Sequence, residues 1–419
     1  MPAESEKPAE PEKPAGGEAA LRRAVRVVAL IDPLWGGHHG GYAVTLAQGL
    51  TDQGIQVHII GPAPFVEEVC RAVPQATGHV LPLFPGSGPD SGPDSGPAYY
   101  RLNRVARDRV NLRFLRAALR MAGGLGADTA HLLWLDSFLP PLVAALAGRK
   151  NRAMAVRGTL HWAYFLEEFE ARRFSQPVHR LLLRTLGALG LRVMMHSRAL
   201  IRGVQAGELD AVPHPAHPLQ FQLEEREQVG QAVRQQMNIP PQATVLLAFG
   251  GTRHDKGSDL ALEALALLPP HVHLLVAGSA YAFDAEAFRE RGERLGLADR
   301  LHLHLEYIAD EAVEGYFLAA DACLLPYRRY FAGQSGPLII AASLGLPVLA
   351  ADVGVLAEMV ETYSLGALFA PEDPVALARC VQDFDVSAFA PETARFQKDH
   401  SPQAFVDAVL QSYLGQAEG

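Results

Sequence analysis

Apolar residues in this chain cluster in short runs whose spacing alternates between two kinds of element. The first ordered run, VRVVALID (25–32), is continuous and β-branched, as expected of a strand buried on both faces of a parallel sheet. A glycine cluster, GGHHGG (36–41), follows at once, then a helical pattern, YAVTLAQGLTDQG (42–54), and a second strand, IQVHIIGP (55–62). That is one βαβ unit, and its repetition predicts a doubly wound α/β domain. Runs at DTAHLLWL (128–135), RAMAVRGTLH (152–161) and LRVMMHS (191–197) extend the same sheet. The stretch AVPHPAHPLQF (211–221) carries three prolines and no helical period, and reads as a hinge. Order then restarts with the strand ATVLLAFGG (243–251), the helix SDLALEALALL (258–268) and the strand VHLLVAGS (272–279). RLHLHLEYI (300–308), DACLLPY (321–327) and LPVLAAD (346–352) are further strands of a second doubly wound domain. The expected division is 21–212, 213–400, and an amphipathic helical segment from 401 to 419 that packs back on the body.

Two segments fall outside this pattern. Residues 1–20 are rich in Pro, Glu, Lys and Ala, lack an apolar core and read as a disordered tail, not a signal peptide. PGSGPDSGPDSGP (85–97) cannot bury a core and predicts a mobile loop over 85–98. Length agrees with two domains, since 419 residues exceed the roughly 250–300 at which a single core stops growing. A net charge of −9 argues against a general nucleic-acid binder. Cys70, Cys323 and Cys380 are odd in number and widely spaced, so neither a disulfide framework nor a zinc site is expected. The apolar stretch 338–351 is broken by Gly345 and Pro347 and is too short to span a bilayer. These features together predict a cytoplasmic protein.

Candidate chemistry concentrates in FGGTRHDKGSDLALEAL (249–265), where a strand hands over to a helix. Ligands of doubly wound sheets bind outside the carboxyl ends of strands, and this loop lies there. Gly250, Gly251 and Gly257 permit close backbone approach, while the Arg253 fork and the Lys256 point charge suit a diphosphate. A solvated basic turn is the plain alternative for a lone RxxK. In YRRYFAGQSGPLIIAASLGLPVLAAD (327–352), Gln334-Ser335-Gly336 precedes a helix with Pro337 in its first turn, a start that leaves backbone N–H groups for an anion or for ordinary capping.

Taken together, FGGTRHDKGSDLALEAL, LLVAGS, YIADEAVEGYFLAADACLLPY and GQSGPLIIAASLGLPVLAADVGVLAEMVE resemble the donor domain of glycosyltransferase family 4. The resemblance runs from about 25 to 415 and is densest over 249–361. It implies the GT-B fold, two Rossmann-like doubly wound domains facing across a cleft. It also implies a retaining, metal-independent hexose transfer from a UDP- or GDP-sugar to a glycan, lipid-linked or small-molecule hydroxyl, with no cofactor beyond that co-substrate. Carried over by motif, Arg253 and Lys256 match the diphosphate pair, beside Gly251. Ser335, Gly336, Pro337 and Leu338 match the helix start facing the donor, and Glu358 an acidic residue near the ribose. Gly36, Gly37, Gly40 and Gly41 match the glycine loop of the first domain, and His161 a cleft histidine beside the transferred sugar; a structural histidine next to Trp162 and Tyr164 is the plain alternative. His38, His39, His131, His196 and His214 read as structural, with contact to an acceptor the alternative for His38 and His39, which sit within the glycine loop.

One departure stands out. Two glutamates common in the family fall, by register from Gly345, on Ala332 and Ile340. Gln334 and backbone amides are the substitutes that could hold the sugar. A non-catalytic nucleotide-sugar-binding protein of the same fold therefore stays open, as does, more remotely, an epimerase or phosphorylase. On the acceptor side, RLNRVARDRVNLRFLRAALR (101–120) holds seven arginines and one aspartate, with Arg109, Arg113, Arg116 and Arg120 at helical spacing. It reads either as a solvated helix face or as a peripheral contact with an anionic inner-membrane surface or a lipid diphosphate.

Overall fold

The computed structural model describes residues 25–33, 39–81, 102–136, 138–149, 152–162, 175–198, 209–280, 283–331, 333–385, 389 and 391–415. The expected tail, the loop over 85–98, Gly36, Gly37, His38, Tyr164 and Ala332 lie outside them. Two all-parallel sheets form the frame. The first holds β1 (Val27–Ile31), β2 (Gln56–Gly61), β3 (Thr77–Val80), β4 (Thr129–Leu132), β5 (Ala155–Leu160), β6 (Leu191–Met195) and β7 (Leu209–Ala211). Its spatial order is β3-β2-β1-β4-β5-β6-β7. The second holds β8 (Thr244–Phe249), β9 (Val272–Ala277), β10 (Leu301–His304), β11 (Ala322–Leu325), β12 (Val348–Ala351) and β13 (Gly366–Phe369), in the order β10-β9-β8-β11-β12-β13.

Each sheet grows outward from its first strand and then returns to that strand's other side. The reversal lies between β1 and β4 in one unit and between β8 and β11 in the other. Flanking helices diverge there and leave a crevice at the carboxyl ends of the strands. Strands next to these points are buried on both faces, as in Val28–Ile31 and Val245–Leu247, which is why they appear in the sequence as unbroken apolar runs.

The helices Arg104–Gly124, Leu139–Ala147 and Ser175–Ala188 lie side by side on one face of the first sheet. The helix Pro402–Leu414 crosses back from the end of the chain and covers the other face. Its Phe405, Val406, Val409, Leu410 and Tyr413 bury against Val28, Leu30, Leu46 and Val57. Burying such side chains contributes about 1.5–3 kcal/mol each, which fixes the chain end on the first unit. Arg157 donates from Nε to the Ser412 carbonyl (3.1 Å) and from Nη2 to that of Tyr413 (3.0 Å), so a cation closes the negative end of this helix. His131, wholly buried, bridges the Tyr413 hydroxyl (2.8 Å) and the Thr159 hydroxyl (2.9 Å), and burial pushes its imidazole down to about 3. It is a neutral strut in the core.

Candidate active site

The loop after β8 is shaped by its glycines. Gly257 adopts φ 65°, the left-handed region, and a Cβ there would stand 1.9 Å from the carbonyl oxygen of Pro326. Only glycine lets the loops after β8 and β11 press together at the reversal point. Between them the chain makes a single 3₁₀ turn, His254–Lys256, before the helix Ser258–Leu265 begins.

This turn aims two cations at the crevice. Arg253 donates from Nε and Nη2 to the two carboxylate oxygens of Asp255 (3.0 and 2.8 Å), a fork pair that fixes the guanidinium plane. Lys256 reaches inward: its ammonium lies 3.9 Å from the Tyr327 ring centre and 5.0 Å from that of Phe331, and donates to the Tyr327 hydroxyl at 2.5 Å. Burial, then the neighbouring Arg253 charge, push the lysine down to about 7 against the opposing pull of Asp255. Burial also drives the Tyr327 phenol far up, so it stays protonated and donates onward to Ser335 Oγ at 3.1 Å. Ser335 caps the helix Gly336–Leu344, its Oγ accepting the Leu338 N–H at 3.3 Å. A hydrogen-bonded chain thus ties the lysine of one loop to the helix start of the other. The small pocket here is lined by Gly250, Gly251, Thr252, Lys256, Ser258 and Tyr327, among others. The Pro337 ring stands across from Gly250. Gln334 is half-buried, and its Nε2 is buried with no hydrogen-bond partner among the described residues.

The first unit meets this site along a seam. Trp162 forms an antiparallel bridge with Gly333, and its ring lies so close that a Cβ on Gly333 would sit 2.4 Å from Cε3. The same indole stacks under the Arg253 guanidinium at 5.1 Å, and the Gln334 N–H donates to the His161 carbonyl at 3.2 Å. His161 is therefore beside the Gln334 loop, but its ring is buried, stacked on Trp134 at 3.7 Å, with Nε2 donating to the Leu133 carbonyl at 2.9 Å. Glu358 does not join Arg253 and Lys256 in their hydrogen-bonded network; its carboxylate accepts from the Ser197 hydroxyl across the seam. Gly40 and Gly41 lie in the first turn of the helix His39–Asp52, and the Glu68 carboxylate rests directly against Gly40. Arg253, Lys256, Gly251 and residues 334–338 are thus brought together. His161 joins them through its backbone, Glu358 bonds to Ser197, and Gly40 and Gly41 open the helix His39–Asp52.

Two doubly wound units joined at the carboxyl ends of their strands define the GT-B fold. HepE from Anabaena, in its complex with UDP, shares that fold with a TM-score of 0.68 at 17% identity, over 93% of this chain and 100% of that one. Residues 243–384, within the second unit, match the family described as Glycosyl transferases group 1. Similar curated proteins include the lipopolysaccharide core biosynthesis mannosyltransferase LpsB of Rhizobium meliloti, 32% identical over 157 residues, which is 35% of this chain and 43% of that protein. The D-inositol 3-phosphate glycosyltransferase of Streptomyces avermitilis is 32% identical over 165 residues, 36% of this chain and 34% of that protein. The chain therefore spans less than half the length of these curated relatives.

Proposed function

We propose that the protein is a cytoplasmic glycosyltransferase that moves a hexose from a UDP- or GDP-sugar to a hydroxyl of a glycan, lipid-linked or small-molecule acceptor. The observation that carries this reading is the chain from Lys256 through Tyr327 to Ser335, which aligns an ammonium and a capped helix start on one crevice. A diphosphate seated there would meet Lys256 as a point charge, Arg253 as a fork and the Gly336 N–H at the positive end of the helix dipole. As the bond from the anomeric carbon to the diphosphate oxygen breaks, the leaving group gains negative charge, and these groups are positioned to stabilise it. They supply the neutralisation that a divalent cation gives elsewhere. The acceptor oxygen bonds to the anomeric carbon on the face being vacated, and its proton passes to the departing phosphate oxygen, so retention needs no separate base. HepE, which has been solved with UDP and with UDP-glucose, supports a uridine donor.

Gln334 is the side chain best placed to replace the missing glutamates in holding the sugar, because its buried Nε2 has no hydrogen-bond partner among the described residues. Glu358 would exchange Ser197 for a ribose hydroxyl, and His161 would position groups and not act as a base. The test is release of nucleoside diphosphate from a panel of nucleotide sugars. Turnover is expected to survive a chelator and to fall by about 10²–10³ in Arg253→Ala and Lys256→Ala. Full activity in both variants would sink this mechanism. Tight binding of a nucleotide sugar with no turnover would favour the non-catalytic reading, which the Ile340 side chain at a glutamate position motivates.

A further inference from the structure

We infer that the outer face of the Arg104–Gly124 helix is a docking surface for an anionic membrane. Arg109, Arg113, Arg116 and Arg120 are all exposed and share one stripe, opposite the buried Phe114, Leu115, Ala118 and Ala122. None of them has a carboxylate partner among the described residues, and the Arg116 Nη2 instead reaches the Ala144 carbonyl at 3.4 Å. The second unit handles its arginines differently: Arg234, Arg253, Arg289, Arg291 and Arg328 each pair with an Asp or Glu. Unpaired cations crowded on one helix repel each other, so the fold gains nothing from the stripe unless an external anion faces it.

Charge along the chain points the same way. Residues 25–212 hold 20 Lys and Arg against 14 Asp and Glu, whereas residues 213–419 hold 13 against 27. The protein as a whole is acidic, which disfavours a long nucleic-acid track, but the first unit alone is cationic. The stripe also has an apolar continuation. Val105, one turn before Arg109, is 61% exposed. In the same helical layer, Val178 and Leu181 of the Ser175–Ala188 helix are 53% and 64% exposed, near Arg184. Apolar tips among arginines suit the boundary between headgroups and acyl chains. Among the described residues no helix is long and apolar enough to cross a membrane, so the surface would lie on the bilayer.

The test is co-sedimentation of the full chain with vesicles of phosphatidylcholine alone or mixed with phosphatidylglycerol. Binding is expected only to the mixed vesicles and should weaken as salt is raised. Replacing Arg109, Arg113, Arg116 and Arg120 by Gln should weaken it at least about a hundredfold, at about fivefold per arginine. Replacing Arg289 and Arg294 on the second unit should leave it unchanged. In a separate Val105→Trp variant, tryptophan emission should shift to the blue on mixed vesicles, a readout that stands even if the fourfold variant folds poorly. Equal binding to neutral vesicles, no binding to the mixed vesicles at low salt, or a preference for single-stranded RNA lost in the same variant would each overturn the assignment.

Discussion

In the first unit, the helix that follows β1 begins at His39, and the carboxylate of Glu68 lies against Gly40 in its opening turn. In the second, the turn that follows β8 carries Arg253 and Lys256, and the helix that follows β11 is capped by a serine tied to that lysine through Tyr327. Both places are strand-end, helix-start positions that favour negative charge. One is met by a carboxylate from the protein's own chain; the other gathers additional cations. The fold supplies the electrostatic opportunity twice, and the side chains decide which copy is kept for a ligand.

The sharpest way to break this contrast is to add one methyl group to each loop. Gly257→Ala forces a Cβ toward the Pro326 carbonyl and demands a left-handed backbone from alanine. Backbone strain of this kind costs about 2–3 kcal/mol, and displacing Lys256 should abolish nucleotide-sugar binding as well. Gly41→Ala meets nothing within 4 Å and sits in a helix, so it should stabilise the protein by up to about 1 kcal/mol. Thermal melts of the two variants, with and without nucleotide sugar, check both signs. Equal effects would mean that the two loops are not distinguished by their packing.

The sequence exposes the two units unevenly. Strands beside the reversal points are legible because both faces are buried, whereas β3 and β7 are edge strands of four and three residues without an apolar run. The loop after β8 is legible because its glycines and cations are neighbours in the chain. Its partners are not: Tyr327 lies 71 residues from Lys256, Ser197 lies 161 from Glu358, and Trp162 reaches Arg253 from the other unit. No local spacing reports contacts that only the closed seam creates. The Asp255 fork is the exception, visible in principle as a carboxylate two residues from Arg253, yet a bare spacing does not distinguish it from a solvated turn.

A finer test uses pH. Because Lys256 is held down to about 7, it is largely neutral above that value in the free protein, and a bound diphosphate would restore its charge. Binding would then take up a proton, and affinity for a nucleotide sugar should fall about tenfold per pH unit as pH rises above 7. The diphosphate diester of such a donor does not titrate in this range, which leaves the lysine as the source. Calorimetry in buffers of different ionisation enthalpy measures the proton uptake directly. A flat profile from pH 7 to 9 would show that Lys256 is already charged before the donor arrives. In Lys256→Arg the profile should flatten while some affinity remains.

The smallest expected effect belongs to Glu68. If its carboxylate serves the first unit's helix and not the reaction, Glu68→Ala removes a favourable charge at a helix start and costs about 0.3–1 kcal/mol of stability. Nucleotide-sugar affinity should change by less than about fivefold, since a term of that size is the most that the vacated helix end can add for an incoming phosphate. A tenfold or larger change in either direction would place this loop in contact with the donor. The two helix starts would then act on one ligand from opposite sides of the seam, and the contrast drawn between them would fail. Measured beside Lys256→Ala under the same conditions, the ratio of the two effects decides which unit grips the diphosphate.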